Sequence, residues 1–363
     1  MKTINILIQH VAKKYSVIIG EGLIDQLSQH LDLDRVTQIY IITDSNVAHH
    51  YLEPVISSLK KSFDKPIHSY SFNAGEKSKQ LSTVEKIYAD MAEKNLDRKS
   101  LVINLGGGVV TDLGGFVAST YLRGLSFMNI STTLEGMVDA SVGGKTGVNV
   151  GNKKNYVGVF NQPIAVISDI STLSTLSKRI LIQGYAEVIK HGFIADSLYF
   201  TQVSRQPFTD YTHKEQIDII ARSVEIKADS VRQDEYESST RKLLNFGHTI
   251  GHVLESLSFA TNNPLYHGEA VAIGMVAEAK IANLSGMISD TDFNTIESAI
   301  KRVGLPIKYK MPISIDTVYD LLFTDKKNIG GKIKWTLLSA IGQGEENVEI
   351  GKSFVRKAIA YIL

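Results

Sequence analysis

The chain of 363 residues has no cysteine. That excludes a disulfide scaffold and fits a reducing compartment. It also means that any transition ion bound here must be held by nitrogen and oxygen. A surplus of one charge is missing as well: 39 basic residues meet 38 acidic ones, for a formal net charge of +1. A general nucleic-acid or membrane-surface binder would carry a basic excess or stripe, so neither partner is expected. No internal repeat, low-complexity tract or long block of like charge is found. The opening stretch is broken by Gln9, His10, Lys13 and Lys14, and reads as neither signal peptide nor membrane span. What is present is a hydrophobic fraction of 43%, ample for a core and too high for disorder. A soluble, cytoplasmic α/β protein of two domains is the expectation.

Short β-branched runs alternate with helical patterns in the first half. Residues 39–43, 101–105, 127–130 and 164–168 read as strands, and 81–94 as an amphipathic helix. Strands separated by helices predict a mostly parallel sheet covered on both faces. Past residue 173 helical spacing dominates, over 186–200, 214–232, 241–258, 270–284 and 291–303, until a β-branched run at 333–338. The expected division is an α/β domain over 1–173 and a mainly helical domain over 174–363.

Three of the chain's ten histidines fall within one short stretch, at His248, His252 and His267. His248 and His252 are four apart, so on a helix they share a face. His267 opens a second apolar segment. Imidazoles from two helices are a common grip for a first-row metal ion. Upstream, Glu187, Lys190 and His191 also share one helical face. Spacing allows Glu187 or His191 as a further ligand and does not choose between them. One carboxylate and two imidazoles would leave coordination positions open for substrate. Lys227, Glu237 and Arg241 lie between these segments, and Arg241 precedes Asn245 and His248 by one and two helical turns.

Gly106-Gly107-Gly108-Val109-Val110-Thr111-Asp112 follows a strand and precedes a helix. Such glycines let backbone amides approach an anion, usually a dinucleotide pyrophosphate. A tight turn with close helix–sheet packing explains them equally well. Asp44, ending an earlier strand, suits a ribose or a helix cap. Residues 138–149 read as a flexible glycine-rich loop. Its Gly143-Gly144-Lys145-Thr146 shares part of a P-loop, but Asp139 stands where the first P-loop glycine is needed. A nucleoside triphosphatase is therefore excluded. Lys145 beside Asp139, with Lys154 and Asn155 farther on, suits a phosphate or polyol.

Taken in order, these motifs resemble one family, 3-dehydroquinate synthase, among the sugar phosphate cyclases. The likeness runs from about Asp44 to Gly342. It rests on Gly106 to Asp112, Thr120-Tyr-Leu-Arg-Gly124, Val138 to Asn149, Lys154-Asn155, Ala186-Glu-Val-Ile-Lys190, Leu244-Asn-Phe-Gly-His-Thr-Ile-Gly-His252, His267-Gly-Glu-Ala270 and Asp325-Lys-Lys327. The resemblance implies NAD in the α/β half, zinc or cobalt in the helical half and substrate in the cleft. It places metal ligands at Glu187, His248 and His267, against His191, where the family usually has Tyr. It places NAD contacts at Asp44, Glu76, Lys79, Gly107, Gly108, Asp112, Thr132, Thr133, Lys145, Lys154 and the turn from Thr172 to Thr175. It places substrate contacts at Asp139, Lys145, Asn155, Lys190, Lys227, Arg241, Asn245, His252 and Lys326. His252 is given a proton-transfer or hydrogen-bonding role. Arg123 would reach a neighbouring subunit's site, which implies a homodimer.

The reaction implied converts 3-deoxy-D-arabino-heptulosonate 7-phosphate to 3-dehydroquinate and phosphate. It runs by transient oxidation, β-elimination, re-reduction and intramolecular aldol closure, with no net redox change. Other readings are a sister cyclase acting on sedoheptulose 7-phosphate or glucose 6-phosphate, a metal-dependent polyol dehydrogenase, and a binding protein that keeps the fold. The chain departs from the family's pattern at Glu135, Gly136 and Met137, and over Val150-Gly151-Asn152-Lys153. None of these positions is expected to take part in the chemistry.

Overall fold

The β-branched runs do become strands, because they are buried on both faces. The computed structural model describes residues 13–151, 153–324 and 333–363. Its strands begin with β1 (Ser16–Gly20), β2 (Ile39–Asp44), β3 (Ile67–Phe72), β4 (Leu101–Gly106) and β5 (Ser126–Ser131). After the hairpin strands β6 (Lys145–Val150) and β7 (Lys153–Phe160) comes β8 (Ala165–Asp169). All but the hairpin pair form one parallel sheet, ordered β1-β8-β5-β4-β2-β3. Every residue of β2 and β4 is buried. Tyr40, Ile42 and Val102 pack toward α1 (Leu81–Glu93) and α2 (Gly108–Thr120). Ile39, Ile41, Leu101 and Ile103 pack toward Leu27, Val55 and Leu59 on the other face. Period-two alternation delivers those two sets to opposite sides.

The second half is mainly helical: α3 (Lys178–Ala195), α4 (His213–Gln233), α5 (His248–Ser258), α6 (His267–Leu284), α7 (Asp290–Arg302) and α8 (Lys352–Ile362). A small antiparallel pair, β9 (Trp335–Ala340) and β10 (Gln343–Val348), lies against it. A parallel-sheet half and a mainly helical half are thus what the alternation of patterns predicts. Among the described residues, no helix is long and apolar enough to cross a membrane.

Three local expectations need correction. The pattern over 186–200 is two helices, because Asp196 turns extended (φ −155°) and caps the next helix through Leu198 and Tyr199 N–H. The pattern over 241–258 breaks at Gly247, which is left-handed (φ +81°). Helical periodicity survives a break of this kind, so sequence spacing alone does not reveal it. Residues 138–149 are not one flexible loop. A tight helical turn, Gly136–Ala140, leads into β6, and Gly147 faces Gly158 closely enough to pair the hairpin.

The helix that carries two histidines is set by its neighbour. Glu278 of α6, fully buried, accepts from Gly247 N at 2.6 Å and Ile250 N at 3.2 Å. It thereby satisfies donors that a helix start leaves open. A Cβ at Gly274 would collide with Gly247 O, so α5 and α6 meet there backbone to backbone. Gly274→Ala is expected to cost about 1–3 kcal/mol, since backbone has little room to yield. Urea unfolding checks it: a variant as stable as the parent would mean that the two helices slide apart freely.

Candidate functional site

The chain leaves β2 for β3 on one side and β4 for β5 on the other. The C-terminal ends of β2 and β4 therefore diverge, and such a switch point opens a crevice. Asp44, Gly107 and Gly108 stand at its rim. Gly107 precedes α2 with no side-chain cap, and a Cβ there would come within 2.8 Å of Thr133 Cγ2. No side chain caps the first-turn amides of α2, which fits a dinucleotide's phosphates. Thr132 Oγ1 is buried there without a hydrogen-bond partner.

Other residues expected at this rim are committed to it. Asp44 caps the short helix after β2, accepting from Asn46 N and Val47 N at 2.9 and 3.0 Å. Lys79, 4% exposed, pairs with Asp112 at 2.5 Å. Glu76 accepts from Asn149 Nδ2 at 2.7 Å. Thr133 Oγ1 accepts from Gly136 N, Thr172 donates to Asp169 O, and Thr175 lies 2.8 Å from the Tyr51 hydroxyl.

Opposite this rim, α3, α5 and α6 bring Glu187, His248, His252 and His267 together. One ring nitrogen from each histidine falls within 4.8 Å of the others. Glu187 Oε1, buried and without a hydrogen-bond partner, lies 3.8 Å from His248 Nε2 and 3.9 Å from His267 Nε2. His248 Nδ1–H donates to Phe246 O at 3.2 Å, and His267 Nδ1–H to Glu255 at 3.4 Å. Both rings thus turn Nε2 toward the orphaned carboxylate oxygen, an arrangement that fits a divalent cation. Charge agrees: burial opposes a charged His267, yet Glu255, Glu135 and Glu187 around it hold its pKa up to about 9. A pocket that stabilises a proton this strongly has negative charge for a cation to neutralise.

The polar residues expected to meet substrate lie between the two halves. Lys190 pairs with Glu187, both 1% exposed. Lys227 pairs with Asp139 at 2.5 Å. Burial pushes the Asp139 carboxyl up, but Lys227 and Lys190 override it and hold it well below the usual range. Lys145 pairs with Glu237, which also accepts from Asn245 Nδ2 at 2.7 Å. Arg241 is fully buried and donates to Glu235 O at 2.5 Å and Gly143 O at 3.0 Å, while its Nε has no partner. Lys154 pairs with Glu255 at 2.6 Å, and Asn155, left-handed at φ +49°, follows on the hairpin.

His191 belongs to a second group, with a ring nitrogen within 4.8 Å of carboxylate oxygens of Asp139 and Glu187. Its Nδ1 sits 2.6 Å from Ser223 Oγ, and burial with Lys190 nearby pushes its pKa far down. Arg123 lies on an exposed turn at the far end of α2, about 20 Å from Gly107 by the length of the helix. The chain therefore does not bring Arg123 into its own site. Lys326 lies outside the described residues.

Two residues escaped the sequence reading. Glu255 stands seven after His248 and three after His252, so helical spacing was a usable signal. Glu135, expected to be a bystander, accepts from Gln183 Nε2 at 2.8 Å, and Gln183 Oε1 in turn accepts from Gly268 N at 2.9 Å, next to His267. Nothing local announces that three-residue relay, whose members come from separate segments.

Comparison with known proteins gives consistent results. Residues 69–183 match the family model "3-dehydroquinate synthase N-terminal", and 184–328 match "3-dehydroquinate synthase C-terminal". The 3-dehydroquinate synthase of Campylobacter jejuni subsp. doylei is 42% identical over 335 residues, 91% of this chain and 93% of the relative. Among solved structures, a 2-deoxy-scyllo-inosose synthase complexed with carbaglucose-6-phosphate, NAD+ and Co2+ aligns at TM-score 0.87 and 25% identity, covering 96% of each chain. A 2-epi-5-epi-valiolone synthase from Streptomyces hygroscopicus, with NAD+ and Zn2+ bound, aligns at TM-score 0.87 and 25% identity over 98% of each chain.

Proposed function

The chain belongs to the 3-dehydroquinate synthase family, and from that premise we propose how its own residues divide the work. It is an NAD- and divalent-metal-dependent lyase that converts 3-deoxy-D-arabino-heptulosonate 7-phosphate to 3-dehydroquinate and phosphate, within aromatic amino acid biosynthesis. The observation that carries the site assignment is the buried, partnerless Glu187 Oε1 facing Nε2 of two histidines whose Nδ1 atoms are tied. Glu187, His248 and His267 would hold the ion, zinc or cobalt. The rim residues Asp44, Glu76, Lys79, Gly107, Gly108, Asp112, Thr132, Thr133, Thr172 and Thr175, with Lys145 and Lys154 of the hairpin, would hold NAD. When bound, the dinucleotide supplies a reversible oxidant and the ion a Lewis acid at the substrate's secondary hydroxyl.

The remaining work belongs to side chains. Lys145, Lys190, Lys227 and Arg241 meet the carboxylate and phosphate ends of the sugar, and with Asp139, Asn155, Asn245 and Lys326 hold it in reactive register. His252, its ring centroid 5.2 Å from that of His248, moves a proton at the reacting hydroxyl. Lys190, Lys227 and Arg241 are buried, which keeps water from their contacts and strengthens them. Arg123 would act in a second copy of the chain, as a homodimer requires. Domains over 1–173 and 174–363 are supported by the sheet's last strand ending at Asp169 and α3 opening at Lys178. The cysteine-free composition fits a cytoplasmic setting.

The deciding experiment supplies the protein with the heptulosonate phosphate, catalytic NAD and a divalent ion. Phosphate is expected to appear in step with substrate loss, while NADH does not accumulate. NADH rising with turnover would make the protein a polyol dehydrogenase instead. Arg241→Lys is expected to raise KM on the order of 10-fold, because an ammonium cannot replace the guanidinium fork at a carboxylate. An unchanged KM would remove Arg241 from carboxylate binding.

A further inference from the structure

Glu255 is one carboxylate shared by two partners, a lysine and an imidazole. It lies on α5 with its side chain 5% exposed. Lys154 of β7 approaches it at 2.6 Å, and His267 Nδ1 at 3.4 Å. The lysine thus holds the closer contact and the histidine the looser one. Lys154 also lies 4.8 Å from the centre of the Phe259 ring, one turn along from Glu255. The hairpin that carries Lys154 is fastened at its other side to the crevice rim. Asn149 N donates to Lys79 O at 2.8 Å, Asn149 Nδ2 to Glu76 at 2.7 Å, and Asn155 N to Asn149 Oδ1 at 2.8 Å. One short hairpin therefore runs from the rim of the sheet to the carboxylate behind an imidazole of the histidine group.

A carboxylate on the Nδ1 side of a ligating imidazole fixes its tautomer and raises its basicity at Nε2. A lysine bound to the same carboxylate competes for its charge. We propose that Glu255 is a positioning residue for the ion site, and that Lys154, by sharing its carboxylate, links the position of the hairpin to the strength of ion binding. The inference rests on the reading of His267 as a ligand. When Lys154 is drawn to an anionic group at the rim, such as a dinucleotide phosphate, Glu255 turns wholly to His267 and the ion tightens. Linkage is reciprocal, so ion and dinucleotide then favour each other's binding.

The test is Zn2+ affinity by competition with a chromophoric chelator, on the full chain, with and without NAD. Glu255→Gln keeps shape and is expected to weaken the ion about 10–100-fold, with Glu255→Asp recovering part of the loss. In the parent, NAD is expected to tighten the ion about 5-fold or more. Lys154→Met is expected to tighten it without NAD and to erase the NAD effect. Parent-like affinity in Glu255→Gln, or weakening in Lys154→Met to match Glu255→Gln, would overturn the proposal. Glu187→Ala separates the two levels. Loss of the ion in that variant beside an unchanged Glu255→Gln sinks this inference alone, whereas an ion held equally by parent and Glu187→Ala sinks the ligand assignment and this inference with it.

Discussion

Glu187→Ala is expected to lower kcat/KM on the order of 10,000-fold, with the protein no longer retaining a stoichiometric ion. The ion's Lewis acidity is worth roughly 5 kcal/mol at an oxygen that gains charge, and each 1.4 kcal/mol or so is tenfold in rate. Glu187 Oε1 is an anionic atom that faces both His248 Nε2 and His267 Nε2, at 3.8 and 3.9 Å. Two imidazoles without it would hold the ion loosely. His267→Ala is expected to act the same way for the same reason. Metal analysis after dialysis, read beside phosphate release, checks both. Turnover within tenfold of the parent in an ion-free Glu187→Ala preparation would refute the assignment.

Lys190→Met should reveal the ion through stability as well as rate. Lys190 and Glu187 are both 1% exposed and pair one turn apart on α3. Removing the lysine leaves a buried carboxylate without its cation, a loss of about 3–5 kcal/mol. Burial already pushes the Glu187 carboxyl above its ordinary value, with Lys190 as the leading opposing charge. A divalent ion at Oε1 would supply the missing positive charge. The loss is therefore expected in ion-stripped protein and should shrink markedly once the ion is restored, in urea unfolding of both forms. Equal losses with and without the ion would show that nothing binds at Glu187.

Much of the molecule is legible in its residue order. Burial on both faces makes a β-branched run such as Ile39-Tyr40-Ile41-Ile42 readable as a parallel strand, and that strand is there. A glycine run after Leu105 reads as the start of a helix with bare amides, and Gly107 opens α2 in that way. His248 and His252, four apart, share a helix face whatever else packs nearby. Periodicity misled where a special backbone hides inside it, as at Gly247, and where a glycine-rich segment takes its form from the strand that follows it, as in the hairpin of β6 and β7.

Local order thus determined which chemical groups the protein owns and which of them travel together on one element. It did not determine which face of an element meets the cleft. Glu187 and His191 share one side of α3, yet only packing set Glu187 against His248 and His267 and put His191 beside Asp139, with its Nδ1 tied to Ser223 of α4. The approach of Gly274 to Gly247, and the capping of α5 by Glu278, depend on contacts between residues about thirty positions apart. Glu255 and Glu135 joined the site through such contacts too. Spacing along a helix fixes relative angles, but rotation and depth come from long-range burial, and those come only with the folded chain.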